Sequence, residues 1–136
     1  MKHVEVVAGL ILKDGRVLVC QRKANGTFPL KWEFPGGKVE AAEKHEQALR
    51  RELNEELGIQ VEQLTKIYRH EHEYSKEFSV TLKFYQVQSY AGEIQNLAFK
   101  QLRWAAIDDL RDIDFLAADL PLINRLVCTG GLNLLV

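Results

Sequence analysis

Apolar residues run almost unbroken over 4–12 and again over 16–21, with Lys13-Asp14-Gly15 between them. Two short apolar runs around Asp-Gly predict a β-hairpin, because Asp and Gly accept the left-handed backbone of a two-residue turn. Residues 24–31 carry Asn25-Gly26 and Pro29 and predict a loop. Phe34-Pro35-Gly36-Gly37 follows and predicts a tight turn whose glycines let backbone approach a ligand. Residues 41–57 hold no Gly or Pro and are rich in Ala, Glu, Gln, Leu and Arg, which predicts a helix stopped by Gly58. Leu49, Leu53 and Leu57 recur every fourth residue and mark its buried stripe.

Beyond the helix the pattern turns β-like over 60–74, 78–90 and 101–105, with Ala91-Gly92-Glu93 as a turn. Residues 107–111 and 118–128 predict short helices, the second with Asp119 and Pro121 near its start and Gly130-Gly131 at its end. The tail 132–136 is apolar and suits packing on the body of the protein or on a second subunit; the chain is compatible with a monomer or a homodimer. The mixture of strands and helices is that of an α/β protein.

The polar face of the long helix changes the picture. Arg51, Glu52, Glu55 and Glu56 crowd into six residues. The three carboxylates span an arc of about 100° beside the leucine stripe. Like charges at this spacing destabilise a helix unless a cation sits among them. Hard divalent cations take oxygen ligands of this kind, so the cluster is a candidate metal site. A solvated glutamate face is the plainer alternative, with Arg51 as a surface partner of Glu55.

Composition narrows the rest. The 136 residues suit one domain. With 46% hydrophobic and 27% charged residues and a net charge of −1, nothing global favours nucleic acid or an anionic membrane. No run approaches the ~18 apolar residues of a membrane helix and no secretion signal is visible, so a cytoplasmic location is expected. Cys20 and Cys128 lack partners at metal-ligand spacing and are expected to be reduced, partly buried thiols. His3, His45, His70 and His72 show no ligand spacing. His70 and His72 alternate along a strand and share a solvent- or cleft-facing side.

Gly37, five residues, Glu43, seven residues, then Arg51-Glu52-Leu53, Glu55-Glu56 and Gly58-Ile59 is a pattern that resembles the Nudix box throughout. The preceding Trp32-Glu33-Phe34-Pro35-Gly36-Gly37 resembles the MutT branch. The resemblance implies a single Nudix domain over 1–136, with a mixed β-sheet sandwiched between α-helices. It implies an enzyme that splits diphosphate linkages by water attack at phosphorus with Mg2+, or Mn2+ in its place. Glu52, Glu55 and Glu56 match the metal carboxylates and the Gly37 carbonyl a backbone ligand. Glu43 matches an acid that assists the metal's water shell or supports the loop, and Arg51 an arginine that orients the glutamates. Arg22 matches a cation used on substrate phosphates; a solvated strand-end cation is the alternative. A metal neutralises phosphate charge and acidifies water, and a carboxylate takes the proton, Glu52 before Glu55.

One position departs from the MutT pattern. Ala98 stands where the branch often supplies a further acid; Glu93 is near in sequence, and a water, Glu73 or Glu77 could replace it. Asp119 matches the position set against the nucleobase edge, or it caps the last helix. Phe34 and Phe78 are candidate cleft walls, with core packing favoured for Phe78. The expected activity is hydrolysis of a nucleoside triphosphate, CTP-like or oxidised dGTP, to monophosphate and pyrophosphate. ADP-ribose or nucleotide-sugar hydrolysis and a non-catalytic ligand-sensing module are the alternatives.

Overall fold

The hairpin forms where the sequence places it. In the computed structural model, which describes residues 2–130, β1 (Lys2–Lys13) and β2 (Arg16–Gln21) meet through Asp14 and Gly15, at φ 53° and 76°. Positive φ at both turn residues gives a twist that matches the strands. Gly131 and the apolar tail 132–136, together with the packing expected of it, lie outside the described residues.

Among the described residues the sheet has seven strands in the order β3 (Trp32–Glu33), β2, β1, β6 (Phe78–Ala91), β5 (Gln60–Ser75), with β4 (Gly36–Lys38) added to β1 and β7 (Gln101–Ala106) to β2. β1 runs parallel to β6 (Phe78–Ala91), which pairs antiparallel with β5 (Gln60–Ser75). The other edge of β1 is divided. Leu12 and Lys13 pair with β2, whereas Val6, Val7 and Ala8 pair with Lys38, Gly37 and Gly36 of β4 (Gly36–Lys38). β3 (Trp32–Glu33) and β7 (Gln101–Ala106) flank β2.

Two strand segments correct the expected turn at 34–37. Gly36 and Gly37 lie extended in β4, and only Phe34-Pro35 connects it to β3. Both glycines are crowded: a Cβ on Gly36 would run into the Val7 carbonyl, which leaves no room for a larger residue, and one on Gly37 would meet the Glu52 carboxylate.

Both faces of the sheet are covered, as a mixed sheet between helices requires. Helix α1 (His45–Leu57) lays Ala48, Leu49, Leu53 and Leu57 on Val7, Ile11, Leu18, Cys20, Tyr85 and Val87. Helix α2 (Leu120–Thr129) lays Leu122, Ile123 and Leu126 on the opposite face, against Leu10, Val17, Val19, Leu82 and Phe84. The alternation of Val17 and Val19 with Leu18 and Cys20 feeds the two cores by strand geometry alone. Each fully buried leucine contributes roughly 1.5–3 kcal/mol.

The long helix starts later than its composition predicts. Ala42 sits at φ 65°, Glu43 N–H donates to the Glu40 carbonyl at 3.0 Å, and the Glu43 carboxylate accepts the Glu40 N–H at 3.0 Å. This side-chain closure holds 40–43 as a turn, and α1 begins at His45, where Gln47 accepts the Lys44 N–H. Gly58 ends it at φ 71°. Residues 107–112 form a 3-10 turn, and Ala117–Asp119 form another before α2. Cys20 is fully buried; Cys128 is exposed, not partly buried as expected, and its sulfur accepts from Arg111 Nη2 at 3.2 Å.

Candidate active site

Arg51 organises the acidic face of α1. Its Nε and Nη2 donate to the two Glu43 oxygens at 2.8 and 3.0 Å, its Nη1 reaches Glu52 at 3.0 Å, and Nη2 also donates to the Lys38 carbonyl at 3.0 Å. Glu55 lies 3.5 Å from the same Nη1 with its side chain more than half exposed. One guanidinium thus ties the helix to the loop that precedes it and to the end of β4. Glu43 is held entirely by the arginine and the Glu40 amide, which keep its carboxyl down at about 2. It braces the loop.

Glu52 reaches Arg51 from beside Gly37, and Glu56 lies at Gly36 of β4. Glu56 accepts the Gly36 N–H at 3.0 Å, and burial together with the neighbouring Glu52 and Glu33 carboxylates pushes its pKa up to about 9. Burial raises Glu52 as well, against the pull of Arg51. These carboxylates are therefore short of positive charge.

Above them opens a cavity of about 520 Å3, of nucleotide size. Glu56, Gly36 and Gly37 are part of its lining, together with Phe28, Phe34, Tyr74, Phe78 and Asp119. A second, more open cleft of about 270 Å3 shares Arg22, Thr27, Glu33 and Glu56 with it and is lined further by Lys23, Asn25, Ala98 and Phe99.

A NUDIX domain profile matches residues 1–126. The chain belongs to the NUDIX family. It is a Nudix pyrophosphohydrolase of the MutT-like kind, a hydrolase of phosphoanhydride bonds. It is 37% identical over 124 residues to the CTP pyrophosphohydrolase of Escherichia coli K12, covering 91% of each chain. It is 39% identical over 114 residues to a putative 8-oxo-dGTP diphosphatase 2 of Mycobacterium tuberculosis H37Rv, covering 84% of this chain and 81% of that one. Among solved structures, a MutT NUDIX hydrolase from Burkholderia pseudomallei superposes with a TM-score of 0.82 at 28% identity, over 93% of this chain and 99% of the other.

Within this Nudix site the carboxylates are held apart. Among the described residues no three acidic, imidazole or thiol groups already stand as a coordination shell. Glu52 is turned onto Arg51, Glu56 onto Gly36 N–H, and Glu55 faces solvent. The donor set nevertheless fits a hard divalent cation: it is all oxygen, over-supplied with negative charge, and set around a side-chain-free Gly37 whose missing Cβ leaves the room that Glu52 fills.

The other expected site residues have the following surroundings. Arg22 is in the cleft wall, but its donors brace the 22–31 loop: Nε to the Thr27 carbonyl and Nη2 to Thr27 Oγ1, both at 2.8 Å, and Nη1 to both Glu33 oxygens at 3.0 and 3.2 Å. Phe34 is 2% exposed and packs on Phe84 and Phe115, so it belongs chiefly to the core. Phe78 also lines the cavity and is the more exposed of the two, stacked on Tyr74 at 5.6 Å and 18°. Ala98 lines the second cleft, and Glu77 the cavity; Glu73 and Glu93 line neither.

Sequence reasoning missed Glu33, Tyr74 and Phe28. Glu33 is a part-buried carboxylate between Arg22 and the Glu52–Glu56 cluster, held above its ordinary pKa by burial. The signal available was its place in Trp32-Glu33-Phe34-Pro35, next to the turn already singled out. Tyr74 ends a ladder of rings with His70 and His72 on one side of β5 and touches Phe28 at 5.0 Å. The shared side of the two histidines leads into the cavity.

Asp119 stands at the N-cap position of α2 without capping it: its side chain makes no cap hydrogen bond. It is 3% exposed, receives the Phe34 N–H, and leaves Oδ2 buried with no partner. Burial first, then the Glu33 charge, raises its pKa well above the carboxylate range. A raised acid adds stability only below its unfolded pKa and loses it as pH climbs above that value. Asp119→Asn is therefore expected to raise stability at pH 7 by about 1 kcal/mol or more, with the gain vanishing near pH 4. Thermal melts at the two pH values check this; an equal gain at both would contradict it.

Proposed function

We propose that this protein hydrolyses nucleoside triphosphates to monophosphate and pyrophosphate, with cytosine nucleotides or oxidised dGTP as its class of substrate. The observation that carries the reading is the shared cavity, whose lining holds Glu56 and Gly37 together with Asp119, a residue with a buried, unpartnered carboxyl oxygen. Aromatic rings in the same lining suit a base, and the acidic residues suit a metal-bound phosphate chain. The names of the relatives, a CTP pyrophosphohydrolase and a putative 8-oxo-dGTP diphosphatase, point to the same two bases.

Gly37, through its carbonyl, and Glu52, Glu55 and Glu56 would hold Mg2+ or Mn2+, which neutralises phosphate charge and acidifies water. Arg51 keeps Glu52 and Glu55 oriented and clamps the loop through Glu43. Arg22 lends positive charge to the wall beside the phosphates. Water attacks phosphorus, the bond to the departing diphosphate breaks, and the water's proton passes to Glu52, with Glu55 as the second candidate. Phe78 and Tyr74 hold the base, and Asp119 meets its polar edge. The single domain over 1–136 acts on a small nucleotide with no call on nucleic acid or membrane, in the cytoplasm; among the described residues no helix is long and apolar enough to cross a bilayer.

Product analysis decides the reaction. dCTP or dGTP with magnesium is expected to give monophosphate and pyrophosphate in equal amounts, resolved by anion-exchange chromatography. Release of inorganic phosphate alone would mean that another bond is cut.

A further inference from the structure

The sheet ends at β5. That strand is 16 residues long, and among the described residues it pairs with β6 alone. Its outer edge therefore presents backbone N–H and C=O groups without strand partners, a template for another strand. Bulges and covering side chains blunt such edges. Here they flank one stretch and spare it. The register against β6 is broken between Val61 and Leu64, between Lys66 and Tyr68 and between Glu73 and Ser75. Arg50 donates to the Val61 and Glu62 carbonyls at 3.4 and 3.2 Å. From Tyr68 to Glu73 the register is unbroken, residue for residue, against Phe84 back to Ser79.

This regular stretch is complementary to itself. Tyr68, His70 and His72 share the face on which Arg125 of α2 stands 5.7 Å over the Tyr68 ring. Arg69 and Glu71 share the other face, each more than half exposed, and meet at 3.0 Å. Across β6, Arg69 faces Lys83, a like charge, and Glu71 faces Thr81. When two copies of the strand run antiparallel about a two-fold axis at His70, Arg69 of each copy faces Glu71 of the other, and Tyr68 of each faces His72 of the other. The acid then offsets the positive charge that Arg69 and Lys83 concentrate on that face. An axis at Arg69 or at Glu71 sets one of these charges against its own copy, which disfavours both registers. We propose that the free edge of β5 is a homodimer interface: a second copy of this chain adds its 68–72 segment antiparallel to the first, with two Arg69–Glu71 pairs fixing the register. One strand pair is smaller than the roughly 1,200–2,000 Å2 contact of a stable complex, so the dimer is weak and depends on concentration. It adjoins the active site: His72, covered by the second copy's tyrosine, packs on Tyr74 of the cavity lining at 4.5 Å.

Sedimentation velocity of the full chain at low salt, from about 5 μM to about 500 μM, tests this. The wild-type chain is expected to pass from monomer to dimer across that range. Arg69→Glu and Glu71→Arg should each stay monomeric throughout, since either one sets like charges opposite each other twice. Both variants should fold, because an exposed ion pair contributes little to stability, and thermal melts check that. Mixing the two variants should restore the dimer, since their charges are complementary to each other though not to themselves. The double variant Arg69→Glu/Glu71→Arg should dimerise as the wild type does. A loss of association through damage to the fold would not be reversed by mixing or by the second exchange. A wild-type chain that is monomeric at every concentration overturns the proposal. So do single variants that associate like the wild type, and a mixture no more associated than its components.

Discussion

Glu56→Gln is expected to lower turnover by about a hundredfold or more at saturating magnesium, with the fold intact. Glutamine keeps the shape of the side chain and can still accept the Gly36 N–H. It removes a carboxyl that burial and the neighbouring Glu52 and Glu33 hold back from ionising. A divalent cation at the phosphates loses a ligand able to carry full negative charge, whereas the folded protein is relieved of the cost of keeping that carboxyl unionised in a poorly solvated place. Melting temperature is therefore expected to hold or rise while activity collapses. Chelation of the wild-type enzyme should stop hydrolysis, and added magnesium should restore it. Near-normal turnover of Glu56→Gln would remove the basis for a metal role of this carboxylate.

Adjacent glycines are expected to fail in opposite ways. A methyl at Gly36 meets the Val7 carbonyl and Ala8 Cα, backbone that β1 holds rigidly between its two neighbours. Gly36→Ala should cost at least about 3 kcal/mol of stability, since only separation of β4 from β1 relieves the clash. At Gly37 the obstacle is the Glu52 carboxylate, the free end of a flexible side chain. Gly37→Ala should fold with nearly wild-type stability but displace Glu52, lowering turnover by about a hundredfold. Denaturant unfolding and turnover measured on both variants separate the two cases. A catalytically normal Gly37→Ala would mean that Glu52 is not held where the chemistry happens.

Long elements were legible because their patterns repeat. The apolar run through 16–21, the leucine stripe at 49, 53 and 57 and the Asp14-Gly15 turn each reappear in the structure as strand, buried helix face and hairpin. β3 and β4 were not legible, since strands of two and three residues contain no period. The helix start failed for a different reason. Residues 41–44 have helix-compatible composition, and the Glu43 carboxylate bonding back to Glu40 N–H overrides it.

At the site, local order in the chain and spatial order part company. The sequence by itself determined the acid cluster, its arginine and the glycine turn, because one helix and one loop carry them all. Side chains three and four residues apart share a helix face wherever the helix goes. Only the tertiary structure decided which acids are pushed towards their neutral form, which rings line the cavity and what Arg22 is committed to. Those properties depend on burial and on neighbours brought from β2, β3, β5 and the start of α2. Asp119 is the sharpest instance: its position in the chain suggests an ordinary helix cap, and packing alone, by removing water and placing Glu33 opposite, makes it a carboxyl for which ionisation is costly.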